Sequence, residues 1–158
     1  LEKASTIPIA SMARPSDTMI DVKSIDSNNS EGDIGDSRYI ISGDINADAS
    51  KIKYVVRMFK EQGGQQQSTI DAFTVTYNIK NAAGNEVKVV EDYNSSMVTQ
   101  SGEPNIITFN CYNYLKEGTN TITLTVTAKN SAATFSVNIS VYLIKFKLES
   151  SFDFSKAI

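Results

Sequence analysis

The sequence predicts an all-β fold, an antiparallel β-sandwich of seven to eight strands with extended terminal arms. Three observations carry this. The runs Thr121-Ile122-Thr123-Leu124-Thr125-Val126-Thr127 and Thr134-Phe135-Ser136-Val137-Asn138-Ile139-Ser140-Val141 alternate apolar residues with Thr, Ser or Asn at a period of two. That is the pattern of a sheet with one buried and one wetted face. Clusters of Asn, Asp, Ser and Gly recur between such runs and supply turns. The chain of 158 residues is 41% apolar, enough for one sizeable core. The alternation nominates Ile122, Leu124, Val126, Phe135, Val137 and Ile139 as its inward residues.

Taken in order, residues 1–17 hold Pro8 and Pro15 among small residues and form an expected extended N-terminal arm. The sandwich is expected over 18–144. Met19-Ile20-Asp21-Val22 opens it as a short strand, and 24–37 is a loop rich in Ser, Asn, Asp and Gly. Residues 38–43 form a strand. Residues 51–61 support two readings. In a helix, Ile52, Val55, Val56 and Phe59 share a face, with Asp48 or Ser50 as cap and Gly63 as stop. In a strand, Ile52, Tyr54, Val55 and Val56 suit a pleated surface. The β-rich surroundings favour the strand. Residues 62–67 read as a polar loop. Phe73, Val75, Tyr77 and Ile79 then share one face of a strand, and Asn81-Ala82-Ala83-Gly84-Asn85 turns it, with Gly84 at the position needing a positive φ. Residues 87–93 return as the second arm of a hairpin. Another polar loop leads to a strand over 105–111, and a corner at 112–120 leads to the final hairpin. Alternation continues through Ile144, Phe146 and Leu148. Residues 145–158 are therefore expected to be a C-terminal extension leading toward a following domain.

Two stretches carry a family resemblance. Tyr114-Leu115-Lys116-Glu117-Gly118-Thr119-Asn120-Thr121-Ile122-Thr123-Leu124 resembles the Leu-x-x-Gly-x-Asn-x-Ile run of immunoglobulin-like modules in bacterial surface and phage tail or fibre proteins. Val75 to Val87 resembles a hairpin of the same group. The resemblance covers residues 69–144 and implies an immunoglobulin-like sandwich. It assigns Leu115 to plug the end of the core, Gly118 to turn the corner and Asn120 to bond backbone across it. It says little of function, since such folds host many tasks.

Composition narrows the chemistry. A net charge of −3 with no Lys/Arg cluster argues against nucleic acid, whose binding rests on phosphate neutralisation. One cysteine and no histidine exclude an intrachain disulfide, Cys/His zinc sites and Ser-His or Cys-His pairs within the chain. Cys111 lies in an alternating run and reads as a small buried residue. No apolar run reaches the ~20 residues that a bilayer-crossing helix needs, so membrane insertion is not expected. The metal candidates are Asp44, Asn46 and Asp48, whose oxygens alternate like the first ligands of a calcium loop. However, Ala49 replaces that loop's Gly, and Val55 stands where its closing Glu belongs. Asp26, Asn28, Glu31, Asp33 and Asp36 form a second acidic group. Nothing marks a catalytic pair, so no enzyme, catalytic residue or cofactor is expected. The seven tyrosines include candidates for a sugar-stacking face, and Tyr112 or Tyr114 for a tyrosine corner.

The expected function is therefore a non-catalytic structural or adhesion module. It would space or dock domains of an extracellular, cell-surface or virion protein, with other domains or chains of that assembly as partners. The alternatives are a glycan-binding β-sandwich module recognising a host-surface glycan or protein, and a calcium-stabilised adhesion domain.

Overall fold

A computed structural model describes residues 18–41, 47–62, 65–68, 72–94 and 105–145. They form ten strands: β1 (Thr18–Ile25), β2 (Glu31–Gly32), β3 (Arg38–Ile41), β4 (Lys51–Gln62), β5 (Gln65–Ser68), β6 (Phe73–Lys80), β7 (Glu86–Tyr93), β8 (Asn105–Asn110), β9 (Gly118–Ala128) and β10 (Thr134–Ile144). Short 3-10 turns at Asp48–Ser50 and Tyr112–Tyr114 precede β4 and β9.

The strands make two five-stranded sheets. In the first, β4 is central: β1 lies along one edge, while β8 (against Lys51–Val56) and β5 (against Phe59–Gln62) share the other. The second sheet runs β3-β10-β9-β6-β7. All pairings are antiparallel except that of β3 with β10, which is parallel. A sandwich results because each sheet turns an apolar row inward. Ile52, Tyr54, Val56 and Met58 of β4 meet Phe73, Val75, Tyr77 and Ile79 of β6 and Ile122, Leu124 and Val126 of β9 in one core.

Eight of the ten strands coincide with runs expected as strands, β4 among them as the favoured of two readings. The other two are corrections. Residues 65–68, expected in a polar loop, pair with the far end of β4 as β5. Glu31–Gly32, expected in the first loop, closes on β1 as β2. Both are polar ladders held by backbone bonds, for which hydrophobic periodicity gives no signal. Of the expected core, Ile122, Leu124, Val126 and Ile139 are fully buried and Leu115 nearly so. Phe135 and Val137 are half-buried and pack at its margin. Among the described residues β3 flanks β10 only over Val141–Ile144, and the turn before β3 reaches Val137, with Gly35 close to its side chain. Residues 51–61 lie wholly in β4. The expected arm at 1–17 and all but Lys145 of the 145–158 extension lie outside the described residues.

Candidate functional site

The corner before β9 is built from three residues. Leu115 closes the core and Gly118 takes φ +114°. A Cβ on Gly118 would sit 3.1 Å from that of Ala82, so glycine is required for both conformation and space. Asn120, with no exposed surface, spends its whole amide on backbone. Its Oδ1 accepts from Ala82 N (2.9 Å) and Lys116 N (3.0 Å). Its Nδ2 donates to the carbonyls of Lys116 (2.9 Å), Gly118 (3.2 Å) and Val141 (3.1 Å). One side chain thereby ties the β6–β7 turn, the corner and β10 together at one pole of the sandwich.

The core also holds a polar network. The hydroxyls of Tyr54 and Tyr77 bond each other across the two sheets. Tyr77 donates on to Glu91 Oε1 at 3.4 Å, and Tyr93 reaches the same oxygen at 3.0 Å. Phe109 stacks on Tyr77 with ring centroids 3.8 Å apart, and Tyr114 on Phe109 at 5.6 Å. Burial pushes all three phenols above their ordinary value; for Tyr77 the neighbouring Tyr54 adds to it, and for Tyr93 the bond to Glu91 does. Held neutral, three hydroxyls and one carboxylate satisfy each other, as a buried network must. Sequence reading missed this. The available signal was the alternation Val87-Val89-Glu91-Tyr93 in β7, which places an acid in an inward row.

Glu91 Oε1 accepts from both Tyr77 and Tyr93, which ties the network to β7. On the outer face of the second sheet, Tyr39 and Tyr142 are paired across β3 and β10 and stack at 4.9 Å. The paired Ile41 and Ile144 adjoin them, and Tyr39, Ile41 and Ile144 are all exposed. The rest of that face is hydroxyl-rich: Thr123 bonds Asn138 (2.8 Å) and Thr125 bonds Ser136 (3.1 Å) across β9 and β10. A cleft of about 470 Å³ opens among the β1–β2 loop, the Asp48–Ser50 turn and β4, with Asp26, Asp48, Lys51 and Lys53 in its wall. Arg38 also lines it, but its guanidinium is turned to the carbonyls of Ile34 (3.4 Å) and Asp36 (3.0 Å).

Of the metal candidates, Asp48 begins the 3-10 turn before β4, whereas Asp44 and Asn46 lie outside the described residues. Several oxygens of the acidic loop already have partners. Asp26 Oδ1 accepts from Asn28 N and Ser30 N, Asp33 Oδ1 accepts from Gly35 N, and Glu31 pairs with Arg57 of β4. Among the described residues no three Asp, Glu or Cys side chains gather to hold a metal. Cys111 is buried, donates to Ser50 O at 3.4 Å, and has its thiol pushed up to about 11 by burial. Tyr114 packs its ring on Phe109, and neither Tyr112 nor Tyr114 makes a hydroxyl–backbone bond among the described residues; the corner belongs to Asn120.

The geometry of the ends completes the site. Thr18 lines a shallow groove with Ala133 and Thr134, beside the β9–β10 turn. Ile144 leaves β10 just past Leu143, which pairs with Gly118 at the far end of β9. Thr18 and Ile144, the first and nearly the last of the described residues, thus lie at opposite poles of the sandwich. Compared with models of known protein families and with curated proteins, the chain matches none.

Proposed function

We propose that this chain is a non-catalytic, immunoglobulin-like structural module that holds neighbouring domains of a modular surface or virion protein apart and docks them. The observation that carries the reading is the placement of Thr18 and Ile144 at opposite poles. With 11 residues in β10, the poles stand about 30–35 Å apart at the rise of an extended strand. A module whose ends emerge at opposite poles adds its length to a chain of domains; one whose ends emerge side by side does not.

Strand order supports the immunoglobulin-like reading. The succession β1-β4-β8 facing β10-β9-β6-β7 follows the A-B-E and G-F-C-C′ order of such sandwiches. The apolar quartet Tyr39, Ile41, Tyr142 and Ile144 lies where β10 exits, and suits a neighbouring domain seated at that pole. Single-molecule pulling through Thr18 and Ile144 tests the role. Force loads β3 toward the entry pole and β10 toward the exit pole, so their parallel rungs are sheared together. One cooperative high-force rupture per module is expected. Strand-by-strand unravelling at low force refutes the spacing role.

A glycan-binding role is the second reading, favoured by Tyr39, a residue 60% exposed whose ring face away from Tyr142 could take a sugar ring. Titration with host-surface glycans, followed by the tyrosine ring resonances in NMR, decides it. Shifts at Tyr39 support glycan binding, and unmoved resonances remove it.

A further inference from the structure

The outer edge of β7 is a self-complementary strand, and we propose that it pairs with the β7 edge of a second copy of this chain across a two-fold axis at Val90. β7 ends its sheet, and among the described residues no strand lies on its far side. It is eight residues long and contains no proline or glycine. Such an edge is a template for another strand.

The hairpin turn sets which backbone groups face outward. Asn81 N donates to Asn85 O at 2.9 Å, making that a hydrogen-bonded pair, and such pairs alternate along an antiparallel ladder. Val87, Val89, Glu91 and Tyr93 therefore turn their N–H and C=O toward β6. Glu86, Lys88, Val90 and Asp92 turn theirs to the open edge. A second copy can bond only in registers that match these outward groups with their own kind.

Charge then selects among those registers. With Val90 opposite Val90 of the second copy, Lys88 of each copy faces Asp92 of the other, and Val89 faces Glu91. Sliding by one step in one direction sets Glu86 against Asp92; in the other it sets Glu91 against Glu91. A further step either way opposes Lys88 to Lys88 or Asp92 to Asp92. Like charges directly opposite are unfavourable, and opposite charges there are favourable. The Val90-centred register is the one of these five that has two attractive pairs and no repulsive one. Its groups are available: Val90 is 54% exposed. Asp92 meets Lys129 (2.5 Å) and Thr74 (3.3 Å) through Oδ1 in both cases, leaving Oδ2 to face Lys88. Paired this way, the second sheets of two copies become one continuous sheet. The contact is one strand wide, so the association is expected to be weak and concentration-dependent. It rests on β7 alone and stands or falls apart from the spacing role.

Sedimentation of the chain from micromolar to millimolar concentration should show a reversible monomer–dimer equilibrium that weakens with salt. Val90→Pro removes an N–H that β6 does not use, and Lys88→Glu sets like charges opposite. Each should abolish the dimer and leave the thermal transition of the monomer in place. A zero-length carbodiimide cross-link between Lys88 and Asp92 reads the register, using a mixture of ¹⁴N- and ¹⁵N-labelled chains. Within one chain these residues are four apart along a strand, about 13 Å, too far for such a link, so mixed-isotope peptides are expected. The Lys129–Asp92 link within one chain serves as the internal positive. A chain that stays monomeric at millimolar concentration overturns the proposal, as does a dimer that survives both substitutions or lacks the Lys88–Asp92 link.

Discussion

Asn120 shows how much one side chain can hold. Its five hydrogen bonds reach three separate segments, and the one to the Val141 carbonyl is buried. Asn120→Ala removes all five, leaves that buried carbonyl unsatisfied and should cost about 2–4 kcal/mol in denaturant unfolding. The tyrosine network gives a second expectation. Tyr54 and Tyr77 are fully buried with pKa values raised above the ordinary 10.0. Folded, they stay neutral; unfolded, they ionise near 10. The unfolded chain therefore binds fewer protons above that pH, and stability falls as pH rises. Each contributes about 1.4 kcal/mol per pH unit lost above pH 10. Tyr93, raised as well, adds to this slope, and thermal melts across the alkaline range should show it reduced by about a third in Tyr54→Phe. Asn120 was legible in the sequence because the spacing Leu115, Gly118, Asn120 is a local motif. The Tyr54–Tyr77–Glu91 chain was not, because its members lie on three strands and meet only after the sheets pack.

Among the elements, the corner and β4 separate what local pattern conveys from what it does not. Gly118→Ala imposes a side chain at φ +114° and a 3.1 Å approach to Ala82. It should cost about 1–3 kcal/mol, read by the denaturation midpoint at unchanged slope. Leu115→Ala opens the end of the core and should cost about 2–4 kcal/mol by the same measurement. In β4, Val55 and Val56 point to opposite faces yet both are fully buried. Burial on two faces is what lent residues 51–61 their helical look, since periodicity assumes one wet side. The β9 and β10 ladders were plain because Thr, Ser and Asn mark the wet face at every second residue. β5 was hidden because its sequence, Gln65-Gln66-Gln67-Ser68, has no apolar member, and its pairing depends on the length of β4.

For the whole molecule, what matters is where the chain enters and leaves. Fold class followed from alternation, turn chemistry and apolar content, all of which are local. The placement of the ends did not, because it depends on strand order: β1 and β10 lie in opposite sheets and each runs from the entry pole to the exit pole. Function was less legible still. Glu91, Asn120 and the hydroxyls of Tyr54, Tyr77 and Tyr93 bond within the sandwich, and the surface offers a charged cleft, strand edges and an apolar quartet. The central claim is that this body keeps its ends apart, and a distance measurement addresses it most directly. Spin labels at Met19→Cys and Ile144→Cys, in a Cys111→Ala background, report the separation by double electron–electron resonance. One narrow distribution centred at about 30–40 Å is expected from the strand rise and the label tethers. A distribution below about 20 Å, or one spread without a peak, would contradict the account.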